Sequence, residues 1–265
     1  MTANNIFDIR RFGMYIRYHV IQNYKMILIS IFGFSAATFI LLFLVQMAHD
    51  FTPLDHDAIR GIFLFIFFLT GIIYCGTAFP GLRSKEKAIG WLLLPVSSFE
   101  KYFFEFINRI LLFLVLMPLL FWMVYLIEGS FVSVVFPSYK MNLASLTNIL
   151  FYDFQPPVEY KSWFILMFSS LVSLVFIIPL TGATAFMKHP LLKTLLVFAI
   201  VFLFHLLLGF FLVQVLNLDR YHPRNETILF IGSEKSALIF FTTYSLIINF
   251  ALIACGYFKI KEREV

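Results

Sequence analysis

Residues 26–48 read MILISIFGFSAATFILLFLVQMA, a run of 23 residues without a charged side chain. A helix of about 20 apolar residues spans the roughly 30 Å hydrocarbon core of a bilayer. Because lipid cannot satisfy backbone hydrogen bonds, such a segment crosses the membrane as an α-helix. The stretch therefore predicts a membrane-spanning helix.

Further apolar stretches of similar length follow along the chain. With the first one, the predicted spans cover residues 26–48, 61–79, 102–127, 163–186, 194–216 and 237–258. These runs do not alternate polar and apolar residues as the strands of a transmembrane barrel would. The sequence therefore predicts an all-α polytopic membrane protein with six transmembrane helices.

The composition of the whole chain agrees with this class. Of its 265 residues, 61% are hydrophobic and 13% are charged, whereas an ordinary soluble domain has about 25% charged residues. This excludes a soluble globular enzyme, a disordered protein and a disulfide scaffold. Cys75 and Cys255 lie within apolar runs, where we expect them to act as small apolar side chains.

The distribution of Lys and Arg predicts the orientation. With the N-terminus in the cytoplasm, the cytoplasmic segments carry 13 Lys and Arg residues and the external segments carry 6. Because basic residues concentrate on the cytoplasmic side of membrane proteins, we expect both termini in the cytoplasm. The net charge of +5 then reflects orientation and contact with anionic lipids, and is no evidence for nucleic-acid binding.

Several segments lie outside the predicted spans. In residues 1–25, apolar side chains recur at steps of three and four, which predicts a cytoplasmic amphipathic helix in the membrane interface before the chain turns into the bilayer. The residues on that face are Ile6, Ile9, Phe12, Ile16 and Val20. A frayed basic tail is the alternative. Residues 128–161 form a long external segment, and residues 259–265 form a basic cytoplasmic tail.

The cytoplasmic connection at residues 80–101 reads PGLRSKEKAIGWLLLPVSSFEK. A charged cluster precedes an apolar stretch that is too short to span and that Pro95 ends. Ser97 and Glu100 match the S-x-x-E capping box, which predicts that the third helix starts at about Ser97. The charged part is either a short, bounded cytoplasmic element or an ordinary connecting loop that follows the positive-inside rule. The short link 187–193 predicts that spans four and five are neighbours.

Polar side chains inside the spans are candidates for function. Glu105, Asn108 and Arg109 share one face of the third helix near its cytoplasmic end. Either Glu105 and Arg109 pair within the helix, or this face contacts the N-terminal helix or a second protomer in a cytoplasmic gate. His205, in span five, either lines a cavity or bonds a neighbouring helix. Gln214 and Asn249 are predicted to hydrogen-bond neighbouring helices.

Motifs for common enzymatic chemistry are absent from the sequence. It contains no G-x-x-x-x-G-K-[ST], no H-E-x-x-H and no G-x-S-x-G pattern. The His and Asp residues at 49–57 offer ligands for a divalent ion, but Thr52-Pro53-x-Asp55 equally indicates a helix start. An intramembrane enzyme would need convergent catalytic groups, and the polar residues are scattered. We therefore expect no catalytic, cofactor or metal site on this chain.

Three of these features resemble an ABC transporter permease of the exporter-type ABC type-2 membrane family. They are the basic amphipathic helix 6–21, the stretch WLLLPVSSFEK at 91–101 and the basic stretch YFKIKERE at 257–264. The second is similar to that family's leucine-proline-small-polar-Glu-Lys pattern at the start of the third helix. With the six-span count, the resemblance covers nearly the whole chain. The long segment 128–161 departs from the family, many members of which place their largest external element between spans five and six.

The resemblance implies a permease subunit of an ATP-driven exporter in the bacterial cytoplasmic (inner) membrane. Two identical or different permeases would form the substrate path, and a separate ABC-type ATPase subunit would bind ATP and Mg and hydrolyse the ATP. The coupling helix that contacts this ATPase would lie in residues 83–94. Candidate contacts are Arg83, Lys85, Glu86, Lys87 and Trp91. The alternative function is a non-transporting membrane scaffold or sensor subunit.

Overall fold

The computed structural model describes residues 7–52, 54–83, 85–136, 149, 160–186, 188–210 and 234–264. These ranges are helical and contain no β-strand. The α-helices are α1 Ile9–Ala48, α2 His56–Gly76, α3 Lys85–Leu92, α4 Ser98–Phe106, α5 Leu112–Val135, α6 Lys161–Ala185, α7 Pro190–Phe210 and α8 Glu234–Glu264. A 3-10 turn, Pro80–Arg83, precedes α3, and a π-helical segment, Ile107–Leu111, joins α4 to α5.

Within the described residues, five helical segments are long and apolar enough to cross a membrane. They are Ile9–Ala48, His56–Gly76, Ser98–Val135, Lys161–Ala185 and Leu238–Arg263. The predicted all-helical class is confirmed, and these segments correspond to five of the six predicted spans. The remaining span, 194–216, overlaps α7, and residues 211–216 lie outside the described part of the chain.

The N-terminal segment is not a separate helix. α1 runs without interruption over 40 residues, which is about 60 Å at 1.5 Å per residue. No proline occurs in it, so no backbone donor is missing from its ladder. The chain does not turn near residue 25 as expected, and the predicted interfacial helix and first span are one element. Asp8 sets its start, because the Asp8 side chain accepts hydrogen bonds from the backbone N–H groups of Arg10 and Arg11.

The chain divides into two compact units. The first comprises Met1–Gly71 and Pro95–Phe154, and so contains α1, the first part of α2, α4 and α5. Aromatic rings join its helices, as the Phe43 and Phe131 centroids of α1 and α5 lie 6.3 Å apart. Much of this unit's phenylalanine content therefore serves helix packing.

The second unit comprises Ile72–Leu94 and Gln155–Val265. Between α6 and α8, the Asn249 side-chain amide donates to the carbonyl oxygen of Ser170, at 2.8 Å, and to Ser173 Oγ, at 3.2 Å. This confirms the interhelical role predicted for Asn249, whereas Gln214 lies outside the described residues. α6 and α7 pack closely where Gly182 meets Thr194, which confirms that spans four and five are neighbours.

Candidate functional site

The capping box predicted at the start of the third helix is present. Ser97 is the N-cap residue of α4, and Ser97 Oγ accepts a hydrogen bond from the Glu100 N–H at 3.2 Å. In return, the Ser97 N–H donates to Glu100 Oε2 at 3.0 Å. Two backbone donors that the helix itself leaves unpaired are thereby satisfied, so α4 begins at Ser98 as the sequence indicates.

The same Glu100 carboxylate also binds the start of α1. Arg11 Nε donates to Oε2 at 2.8 Å and Arg11 Nη2 donates to Oε1 at 2.9 Å. The backbone N–H of Asp8 adds a third bond, to Oε1, at 2.7 Å. Glu100 is completely buried, and this bidentate pair supplies the charge compensation that a buried carboxylate requires. A single side chain therefore joins the starts of two long helices.

Aromatic rings extend this contact along α1. The Phe12 ring lies 5.7 Å from the Phe103 ring, and the Tyr15 and His19 rings lie 5.1 and 4.6 Å from Phe104. We call the α1–α4 contact the N-terminal clamp. Its residues are Asp8, Arg11, Phe12, Tyr15 and His19 of the α1 side, and Ser97, Glu100, Phe103 and Phe104 of the α4 side.

The face of α1 that packs is not the predicted apolar face. Phe12 of that face is buried, but Ile9 is 76% exposed, and Ile16 and Val20 are also exposed. Tyr15, which does not belong to the predicted apolar face, is buried. The contact with α4 therefore uses aromatic and polar residues on another side of α1, and contact of the apolar face with lipid stays a prediction. Ile6 lies outside the described residues.

The three gate candidates follow the clamp directly along the chain. Arg109 Nε donates to Glu105 Oε2 at 3.0 Å, and their side chains are only 13% and 6% exposed. The predicted ion pair is thus formed. The His19 ring of α1 lies 4.6 Å from that of Phe104, the residue before Glu105, so this end of α4 also lies close to the N-terminal helix. Asn108 and Arg109 belong to the π-helical segment, a rare widening of the helix that sequence reasoning missed.

Two of the coupling candidates contact backbone within the second unit. Arg83 Nη2 lies 3.4 Å from the carbonyl oxygen of Gly76 and 3.5 Å from that of Ala78, at the C-terminal end of α2. A Cβ atom added to Gly81 would lie 3.0 Å from the Trp91 ring, so Trp91 packs closely on the 3-10 turn. The Trp91 contact joins α3 to the 3-10 turn before it, and the Arg83 contacts join that turn to the end of α2.

The remaining coupling and membrane candidates are only partly described. Lys85, Glu86 and Lys87 form the first turn of α3, but their side chains lie outside the described residues. The His205 side chain, in α7, lies outside them as well. The functional hypotheses for these four residues therefore stay predictions.

The loop between α1 and α2 departs from the helix start read from the sequence. α2 begins at His56, directly after the Thr52-Pro53-x-Asp55 stretch, and Thr52 Oγ1 donates back to the His49 carbonyl oxygen at 2.8 Å. Asp57 pairs with Arg60 at 3.0 Å. In the described part of the chain, no three His, Cys, Asp or Glu side chains are grouped as metal ligands.

Sequence reasoning missed the role of Arg11, which appeared only as one basic residue among several. The sequence contains a weak indication of this role. Asp8 immediately precedes a long helical stretch, which is typical of an N-cap residue, and an N-cap at Asp8 places Arg11 in the first turn of the helix. The clamp holds two helix starts together and offers no group poised for covalent chemistry. Comparisons with protein-family models, curated proteins and solved structures find no match.

Proposed function

We propose that the chain is the membrane-spanning permease subunit of an ATP-driven ABC exporter. Two such subunits form the substrate path, and a separate ATPase subunit, which binds ATP and Mg and hydrolyses the ATP, contacts residues 83–94. The protein crosses the bacterial inner membrane six times with both termini in the cytoplasm. This proposal rests on the resemblance of the sequence and on the five apolar helices.

The observation that carries the proposal is the short helix α3. Its eight residues measure about 12 Å, too little to cross a bilayer. It stands between long apolar helices, is bounded by a 3-10 turn and a capping box, and begins with Lys85, Glu86 and Lys87. A bounded, charged helix at this place in the chain is what the resembled family uses to bind its ATPase.

The clamp suggests how movement of α3 would act on the membrane helices. Residues 93–97 connect α3 to α4 along the chain, and the start of α4 is held to α1 through Glu100 and Arg11. A displacement of α3 would therefore reach two long helices. The ATPase can switch access only if it binds the two membrane states with different affinity, and a near-complete switch requires a difference of about 5.5 kcal/mol.

The first test is a purification of the tagged protein from its native membranes in mild detergent, followed by mass spectrometry of the co-purifying chains. We expect an ABC-type ATPase in roughly equal copy number. Recovery of the chain alone, or with unrelated membrane proteins, would contradict the proposal and favour the scaffold or sensor function.

The second test reverses the charges at the start of α3 in one variant, Lys85→Glu, Glu86→Lys and Lys87→Glu. We expect the ATPase to be lost from the complex, together with substrate-stimulated ATP hydrolysis, while membrane insertion is retained. The matched control is Lys259→Glu, Lys261→Glu and Glu262→Lys in α8, which makes the same charge change and keeps opposite charges at 259 and 262, paired at 2.7 Å. Unchanged coupled hydrolysis in the α3 variant would show that residues 83–94 are not the coupling element.

A further inference from the structure

α5 buries one face within the first unit, and that face contains a carboxyl group. The buried residues recur at steps of three and four and include Phe121, Val124, Tyr125, Glu128 and Val132. Glu128 is the only Asp, Glu, Lys or Arg residue in α5, and its side chain is completely buried. Neither of its carboxyl oxygens has a hydrogen-bond partner in the described part of the chain. This arrangement is unlike that of any other carboxyl group described above.

The side chains level with Glu128 on α1 are neutral. Phe39 and Phe43 pack on Phe131, and the Phe51 ring stacks on Phe136 at 3.9 Å. α1 and α5 therefore run in the same direction, and Glu128 lies level with the part of α1 just before Phe43. Residues 26–48 contain no charged side chain, so α1 offers no counter-ion at this level.

α2 runs in the opposite direction. Phe67 packs on Phe113 and Phe63 on Phe121, with ring centroids 5.5 and 5.1 Å apart. Extending this register places Glu128 level with the first turn of α2.

Four titratable groups lie near that level of α2 and α5. They are His56, Asp57 and Arg60 on α2, and Tyr125 one turn earlier on α5 itself. Arg60 Nη2 lies 3.0 Å from Asp57 Oδ1, so the positive charge of Arg60 faces a carboxylate other than Glu128.

An ionised carboxylate in such surroundings is strongly unfavourable, because burial removes its water and nothing replaces it. A carboxyl group avoids this penalty when it keeps a proton and stays neutral. Glu105 provides the contrast in the same unit: its side chain is also nearly buried, but Arg109 lies 3.0 Å away and compensates its charge. Burial without a partner therefore distinguishes Glu128 from Glu105.

We propose that Glu128 is a proton-binding site inside the first unit, occupied at neutral pH. The proton would leave only when the helices around Glu128 separate enough for water to solvate the carboxylate. Proton binding would then favour the packed arrangement of α1, α2 and α5, and opening of that packing would favour proton release, as linkage requires. This site does not depend on the proposed ATPase coupling.

Infrared spectroscopy of the full-length protein in lipid nanodiscs tests the site directly. We expect a carbonyl band of a protonated carboxylic acid at neutral pH that shifts in heavy water and is absent from Glu128→Gln, a neutral isostere. The control Glu105→Gln should remove carboxylate bands and leave the acid band intact. If Glu128→Gln instead removes only carboxylate bands, Glu128 is ionised and the proposal is overturned.

A second measurement requires no substitution at Glu128 and decides the question if that variant does not fold. A hydrophobic carbodiimide reacts with protonated carboxyl groups in apolar surroundings: the acid O–H adds across one C=N bond, and the product rearranges to a stable N-acylurea. Peptide mass spectrometry of the treated wild-type protein should locate the adduct on Glu128 and not on Glu105. Adducts confined to other carboxyl groups would contradict the proposal.

Discussion

Glu100 accepts hydrogen bonds from two elements of the chain at once. It completes the capping box of α4 through Ser97, and it binds α1 through Arg11 and the Asp8 N–H. The charge of this buried carboxylate is compensated by these few donors. Removal of one of them therefore leaves part of the charge without a hydrogen-bond partner. We therefore expect single substitutions in the clamp to lower the stability of the protein.

Arg11→Ala tests this sensitivity. We expect the free energy of unfolding to fall by about 1–3 kcal/mol, because Glu100 loses both bonds from Arg11 and keeps only the backbone N–H groups of Asp8 and Ser97. The matched control is Arg10→Ala, which removes the same charge from the exposed residue before Arg11 and should change the free energy of unfolding little. Thermal unfolding of both purified variants in the same detergent measures the difference. Equal losses of stability would show that Glu100 does not depend on Arg11.

At the scale of elements, close helix contacts depend on where small residues lie. A side chain at Gly182 of α6 would overlap the Thr194 side chain of α7. Helices in a membrane associate through such close packing, because lipid provides no hydrophobic force between them. The α6–α7 contact should therefore require glycine at this position.

Gly182→Ala provides the corresponding prediction. The added methyl group should destabilise the protein by about 1–3 kcal/mol through overpacking. Gly33→Ala is the control, since a Cβ at Gly33 meets no atom within 4 Å, and alanine favours a helix over glycine by up to about 1 kcal/mol. Thermal unfolding should shift down for the first variant and remain the same or rise for the second. A shared downward shift would argue against close packing at Gly182.

At the scale of the whole molecule, the number of crossings determines where the termini lie. Six crossings place both termini on one side of the membrane, whereas five place them on opposite sides. The described residues contain five long apolar helices, and α7 covers residues 194–210 of the fifth predicted span, 194–216. The parity of the crossings is therefore a direct test of the proposed topology.

The test uses a chain in which Cys75 and Cys255 are replaced by alanine and a single cysteine is introduced at Ala3, Ser138 or Val265. A membrane-impermeant maleimide should label positions 3 and 265 only from the cytoplasmic side and position 138 only from outside. This follows from six crossings and the excess of basic residues in the predicted cytoplasmic segments. Labelling of positions 3 and 265 from opposite sides would show an odd number of crossings.

Sequence patterns predicted the all-helical class, five of the long apolar helices and the start of the third helix at about Ser97. These features are local: a span depends on an uninterrupted apolar run, and a cap depends on residues three positions apart. The Glu105–Arg109 pair could be predicted for the same reason, since it joins positions within one helical turn.

Sequence patterns did not identify which side of α1 packs, the bonds between Arg11 and Glu100, or the burial of Glu128, which has no hydrogen-bond partner among the described residues. These features depend on the three-dimensional packing. Arg11 and Glu100 are 89 residues apart, and neither has a local pattern that identifies the other. The burial of Glu128 likewise depends on more than its own helix: the sequence placed Glu128 at the start of the external segment 128–161, whereas α5 continues to Val135. The physical reason is that desolvation and charge compensation are set by everything packed around a group, and the sequence shows only its nearest neighbours along the chain.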